Sequence, residues 1–518
     1  MKTSFRRSLK AVLFLAVLSI CSSNVWAQSG DLGNGLTWSI EGATLTISKT
    51  GEGSGKMPDY NWDDDSPNNY YNCPWNDEKL SITKVIIGEG VTGIGSLSIA
   101  ACEYLESVEI SESVTSIGDE AFTMCGSLIN IKLPSNLKTI GKLAFDACHS
   151  IEGEFLIPTG VTDIGERAFS FCDGITSYAV AEDNMHFKSI EGVLFTKDGS
   201  RLIMLPAGKE GAYIIPDGVK IISSYALSGD ALSGDVTIPE SVTVIEPAAF
   251  YNCQGITGLN LPSSIESISN GAFINCSNIT FFNIDDNNEY YKSSEGVLFS
   301  KDGILIAYPS KKEGAYNIPD DVIKIGDYAF QDSKITGVII PGSVTTIGSL
   351  AFSGCNNIIS EITIPASVIT IGNSAFSRCE NLRCIISKNP TPPIIGSFVF
   401  GFGQSIYIDN IHVPIGSEDA YKTALNWSDY AHLINGDETG LPQIITSLFT
   451  VYPNPTTGPV TISGLTQGDI ISVYNLSGAL VGTFAATGEA YMVIDLSNLA
   501  KGAYLLKSNT RSFKVIKN

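Results

Sequence analysis

Ile117-Gly118-Asp119-Glu120-Ala121-Phe122-Thr123-Met124-Cys125-Gly126-Ser127-Leu128 is one copy of a pattern, Ile-Gly-x-x-Ala-Phe-x-x-Cys-x-x-Leu, that returns along most of the chain. Its Phe recurs at Phe122, Phe145, Phe169, Phe250, Phe273, Phe330, Phe352 and Phe376, with Ile99 and Leu227 in the same place twice. The steps between these markers are 23, 23, 24, 58, 23, 23, 57, 22 and 24 residues. A period this steady predicts a solenoid, in which each unit buries its apolar face only by stacking on its neighbours.

Each unit begins with a short alternating run such as Asn130-Ile131-Lys132-Leu133-Pro134 or Glu361-Ile362-Thr363-Ile364-Pro365, which reads as a strand with one buried face. The recurring Pro lacks an N–H and ends the ladder at a fixed place. Gly at 118, 141, 165, 326, 348 and 372 is expected to permit a tight bend, although Ser223, Glu246 and Ser269 hold the same place. Ala-Phe then supplies a small and a large core group, and the stacked copies form an aromatic spine. The two long steps contain Glu191-Gly192-Val193-Leu194-Phe195-Thr196-Lys197-Asp198-Gly199 and Glu295-Gly296-Val297-Leu298-Phe299-Ser300-Lys301-Asp302-Gly303. Each predicts a β-hairpin with Lys-Asp-Gly as its turn and one further strand.

Around the array, Lys2, Arg6, Arg7 and Lys10 precede an apolar run and Val25-Trp26-Ala27, the layout of a signal peptide over residues 1–27. Lipidation at Cys21 is the alternative, weakened by bulky Ile20. Leu36 to Ile47 reads as a hairpin turning at Glu41-Gly42, so residues 28–80 form an N-terminal cap. The solenoid is placed at 81–388, a C-terminal cap at 389–437 after Asn389-Pro390-Thr391-Pro392-Pro393, and a linker at 438–447. Residues 448–518 carry period-2 runs such as Ile470-Ile471-Ser472-Val473-Tyr474 and predict a small C-terminal β-sandwich.

The formal charge of −22 argues against nucleic acid or anionic lipid as the main partner. No internal run is long and apolar enough for a membrane span in the mature chain. Eight of the 11 cysteines, Cys102, Cys125, Cys148, Cys172, Cys253, Cys276, Cys355 and Cys379, occupy one repeat position. Stacked rungs about 4.8 Å apart fall within disulfide reach, but their Cβ vectors run parallel, so buried thiols are the expected state and bridges the alternative. His149, His186, His412 and His432 form no ligand-spaced pair, and no hydrolase or phosphate-binding motif occurs. The sequence therefore offers no catalytic, cofactor-binding or metal residue; Asp63-Asp64-Asp65 lacks calcium-loop spacing and reads as a solvated turn. Candidate ligand-binding anchors are Trp62, Tyr70, Tyr71 and Trp75, with packing in the cap as the other reading. A ligand face along the strands would use Ile86, Glu109, Lys132, Leu156, Ile214, Thr237, Asn260, Asn317, Ile339 and Thr363.

The repeat, with its Ile-Pro strand ends and Glu-Gly-Val-Leu-Phe inserts, resembles the BspA-type leucine-rich repeats of bacterial and protist surface proteins over residues 31–437. The resemblance implies a mainly β leucine-rich-repeat solenoid of about 23-residue units, used in extracellular binding or adhesion. The tail, with Val451-Tyr452-Pro453-Asn454-Pro455, Val473-Tyr474-Asn475-Leu476-Ser477-Gly478 and the basic end Phe513 to Asn518, resembles the type A sorting domain of the type IX secretion system. That implies export through the periplasm, handling by the type IX machinery through 448–518, and release or attachment at the outer-membrane surface. Together they imply a non-enzymatic, adhesin-like protein that binds a protein or glycan of a host or neighbouring cell. A structural surface component without a ligand is the alternative, and a hydrolase with an unrecognised site a more distant one.

Overall fold

The computed structural model describes residues 28–518 except 62–71, 210–212, 230–231, 402–405, 438–449, 453–455, 464–469, 476–478, 486–490 and 508–511. The signal peptide, the linker and the Asp63 to Asp65 turn lie outside the described residues. The chain is a β-solenoid with two parallel ladders. One is built from strands of up to six residues, such as Lys84–Ile87, Ser107–Ile110, Ile256–Leu261 and Leu382–Ser387. The other consists of two-residue strands such as Gly93–Ile94, Ser116–Ile117 and Thr139–Ile140, in register from coil to coil. Alternation explains the first ladder: Val85 and Ile87 are buried while Ile86 faces outward.

The third side of each coil is the turn edge that carries the repeat motif. Phe122, Phe145 and Phe169 stack face to face at 5.3 and 5.4 Å, within 2° of parallel. Phe330, Phe352 and Phe376 also stack, at 4.7 and 5.3 Å and within 10° of parallel. Phe400 continues that stack at 5.9 Å, and the strand Ile394–Ile395 pairs with Thr370–Ile371, so the spine runs one coil beyond the Pro-rich stretch.

The tight bend does not sit at the motif glycine. The left-handed residues are the fourth and eighth of the motif, for example Glu120 and Met124 at φ 55° and 58°, and Leu143 and Ala147 at φ 55° and 59°. Each such residue costs about 1–2 kcal/mol. It turns its N–H toward the next coil, where Glu120 N donates to Lys142 O and Met124 N to Asp146 O, both at 2.8 Å. The glycine is there for close approach: a Cβ on Gly118 would lie 2.5 Å from Ser96 N, and one on Gly141 2.5 Å from Asp119 N.

Both inserts are antiparallel hairpins, as the sequence predicts. Phe187–Ile190, Val193–Thr196 and Arg201–Met204 form the first, and Tyr291–Ser294, Val297–Ser300 and Ile304–Ala307 the second. The last strand of each joins the two-residue ladder in parallel, Arg201 opposite Ile221 and Ile304 opposite Lys324. Immediately after it, Leu205 N donates to Ala226 O and Tyr308 N to Ala329 O, each at 2.7 Å. In a regular coil the corresponding bond is Phe145 N to Ala168 O at 2.8 Å. Leu205 and Tyr308 are therefore the spine residues of two shortened coils, and each long step holds a shortened coil followed by a regular one.

Aromatic groups close both ends of the stack. At the start, the antiparallel strands Leu36–Glu41 and Thr44–Lys49 are extended outward by Gln28–Gly33. At the other end the short helix Glu418–Thr423 leads into Trp427, whose Nε1 donates to Pro393 O at 2.7 Å and whose ring lies 5.7 Å from Phe400. The C-terminal unit is a separate sandwich. Thr450–Tyr452, Pro459–Ser463 and Tyr491–Asp495 make one sheet, and Leu480–Ala485, Ile470–Asn475, Gly502–Lys507 and Ser512–Lys517 the other. Its core is Val460, Ile462, Ile471, Val473, Ile494, Leu506 and Val515.

Candidate binding surface

The outward strand positions expected to line a ligand face do share one row. Ile86 lies opposite Glu109, Thr237 opposite Asn260, and Asn317 opposite Ile339. Thr363 continues through Ile386 to His412 and Asn435. Leu156 pairs with Ala179 and is 56% exposed, and Lys132 and Ile214 are exposed as well.

The row is divided into segments. Separate sheets begin at Gly153, Gly234, Gly314 and Ser360, each with a register shift at its first residue. The three glycines there have φ of 80°, 71° and 101°, and in each pairing the residue skipped by the ladder, Thr176, Thr257 or Thr336, lies on the following strand. At the first division, between Asn130–Ile131 and Gly153–Ile157, a groove of about 350 Å³ opens. Ile129, Ile131 and Leu156 give it apolar walls, with Lys132, Glu152 and Glu154 beside them.

The aromatic anchors fare differently. Trp75 is completely buried rather than offered to a ligand. Its Nε1 donates to Ser98 O at 2.8 Å, and its ring meets Trp38 and Tyr60 edge-on, both at 5.8 Å. The first coil has no Phe beneath it, and Trp75 fills that end of the core. Trp62, Tyr70 and Tyr71 lie outside the described residues.

The cysteine ladder is inert. Cys125, Cys148, Cys172, Cys276, Cys355 and Cys379 are buried free thiols. Each donates its S–H to the spine carbonyl of the preceding coil, from Cys276 to Phe250 O at 2.9 Å to Cys148 to Phe122 O at 3.2 Å. Burial pushes the Cys148 and Cys379 thiols up to about 12, so they are not nucleophiles at neutral pH. Among the described residues, no group of three or more His, Cys, Asp or Glu is placed to hold a metal ion. No described helix is long and apolar enough to cross a membrane.

Comparison with known proteins follows the same lines. The family model of the BspA-type leucine rich repeat region matches residues 76–198, 212–299 and 308–430 in six copies. The secretion system C-terminal sorting domain matches 450–518. Among curated proteins nothing matches. A leucine-rich repeat protein from Eubacterium ventriosum is 20% identical, covers 76% of this chain and 79% of its own, and has a TM-score of 0.36. One from Bacteroides ovatus is 22% identical, with coverage of 79% and 100% and a TM-score of 0.34. The pneumococcal vaccine antigen PcpA is 18% identical, with coverage of 78% and 96% and a TM-score of 0.32. The chain belongs to the BspA-type leucine-rich-repeat family and carries a type IX secretion sorting domain, which makes it a secreted or cell-surface protein.

Proposed function

We propose that the protein is a non-enzymatic, adhesin-like module that holds a protein or glycan of a host or neighbouring cell against its strand face. The observation that carries this reading is the groove at the first division of that face, where Leu156 and the 49% exposed Ile129 stand beside carboxylates and Lys132. Exposed apolar groups rimmed by charge are what a binding surface requires. Trp62, Tyr70 and Tyr71 are proposed as further anchors in the cap, and the domain division read from the sequence belongs to the same proposal. The test is binding of the full chain to immobilised matrix proteins and glycans. Saturable binding that Leu156→Glu weakens at least tenfold supports the reading. Silence across the panel overturns it in favour of a structural surface component.

A further inference from the structure

A regular coil carries a turn loop of the kind seen at 165–172, whereas the first shortened coil passes from Arg201–Met204 through Leu205 and Pro206 without one. The flanking coils thus border a gap, and a cavity of about 250 Å³ occupies it on the turn edge. We infer that this cavity is a subsite for one neutral pyranose ring of a glycan. This goes beyond the strand-face reading in place and in ligand class, while resting on the view of the chain as a binding module.

Size limits the occupant to a single ring, since pockets for drug-sized ligands run to about 300–1,000 Å³. The floor is apolar, made by the buried Phe169, Met204 and Leu205. One wall is a continuous stack: the Arg167 guanidinium lies 5.8 Å from the Phe171 ring and 4.8 Å from the Tyr225 ring, and Tyr225 lies 5.4 Å from Tyr251. Arg167 is held in that position by Asp146 Oδ1 at 3.4 Å and Ser170 Oγ at 3.4 Å. Asp173, Ser228 and Asn252 complete the lining with donors and acceptors.

This mixture matches a sugar, whose C–H face packs on aromatic rings while its hydroxyls need hydrogen-bonding partners around the edge. A purely apolar side chain would strip water from the polar rim of Asp173, Asn252 and the Arg167 guanidinium and return no hydrogen bond to it, which is costly. An anion would meet Asp173, an Arg167 already paired with Asp146, and a chain of net charge −22.

The second shortened coil provides the contrast within one molecule. There the matching gap holds only about 30 Å³, because Tyr308 stands for Leu205, Gln331 for Ser228 and Ile274 for Ser170. Its Gly271 also replaces the stacked Arg167.

Saturation-transfer NMR on the full chain with the methyl glycosides of glucose, galactose, mannose, fucose and N-acetylglucosamine tests the subsite. Transfer to the ring protons of at least one glycoside is expected, with at least tenfold weaker binding in Ser228→Gln and in Tyr225→Leu and no change in Tyr328→Leu. Ser228→Gln introduces a side chain that the second coil already accommodates, so folding is retained. Absence of transfer at concentrations well above a Kd of about 1 mM, or binding that Ser228→Gln leaves unchanged, overturns the subsite. The strand-face reading is tested by Leu156→Glu on a different ladder, so either can fail while the other stands.

Discussion

The two shortened coils share a plan and differ in how they are filled. Each follows a hairpin, and each places one apolar residue in the spine directly before a proline, Leu205 before Pro206 and Tyr308 before Pro309. In the second, Tyr308 lies 4.9 Å from Phe330 and 5.0 Å from Tyr316, so the shortened coil joins the aromatic stack of the coils that follow it. In the first, Leu205 is followed by Leu227, and the aromatic stack is interrupted until Phe250. A solenoid can thus delete a turn loop, keep its backbone ladder, and then either fill the gap or leave it open.

The largest effect separating them should come from truncating the two spine residues. Tyr308→Ala is expected to cost about 3–5 kcal/mol, like an aromatic truncation in any packed core. Leu205→Ala should fall near the lower end of about 2–5 kcal/mol, because Leu205 already borders a cavity and has fewer contacts to lose. Urea denaturation of the two variants measures the difference; equal losses would mean that the first gap is packed as tightly as the second.

The next contrast lies at the motif glycine. Gly326 follows the second shortened coil, and a Cβ there would sit 2.8 Å from Leu305 O, so Gly326→Ala should cost about 1–3 kcal/mol through overpacking. The first coil has Ser223 in this place, hydrogen-bonded by Arg201 Nη1 at 3.2 Å. Ser223→Ala should therefore change stability by no more than about 1 kcal/mol. A cost for Ser223→Ala as large as that for Gly326→Ala would show that the two coil junctions are equally close.

The sequence makes the repeat, its strands and both hairpins legible because each has a local cause: alternation, a Pro stop, or a Lys-Asp-Gly turn. Leu205 and Tyr308 are hidden in the sequence because no Ile-Gly-x-x-Ala precedes them, and Phe400 because its coil follows a proline-rich stretch. The sequence pattern points to glycine, the usual left-handed residue, for the bend, whereas stacking lets Glu120 and Met124 take that conformation by bonding to the next coil. The surface is harder to read than the core. Trp75 has the composition of an anchor, but only the fold shows that it plugs the end of the stack. The cavity at the first insert arises from an omitted loop and small side chains, and neither leaves a motif.

A smaller difference concerns charge. Arg201 Nη1 bonds Glu246 Oε1 at 2.6 Å, and Ser224 N donates to Glu246 Oε2 at 3.1 Å, tying the first shortened coil to the second coil beyond it. The second shortened coil has Ile304 in the place of Arg201. Both groups of the pair keep part of their surface in water, so Arg201→Ala should cost about 0.5–1 kcal/mol. The loss should shrink at 1 M salt, where charges are screened within about 3 Å. A salt-independent loss would assign the effect to packing of the Arg201 stem.

The smallest effect should appear in acid, at the hairpin turns. The first turn has one residue more than the second, and Asp198 uses it: its carboxylate accepts Thr196 Oγ1 at 2.7 Å, Ser200 N at 3.0 Å and Ser200 Oγ at 2.8 Å. These bonds hold the carboxyl down at about 2, below the roughly 3.9 of an unfolded Asp. The sign follows from linkage: the stabilisation is present in full above pH about 4 and is lost as pH falls toward 2. In the second hairpin Ser300 Oγ accepts Ile304 N at 2.9 Å, closing the shorter turn without a second serine. Asp198→Asn should therefore lower Tm slightly at pH 7 and leave it nearly unchanged near pH 2, flattening the acid limb of the profile; the change is small because the turn is fully solvated. An NMR titration of Asp198 with a midpoint near 4 would sink this account.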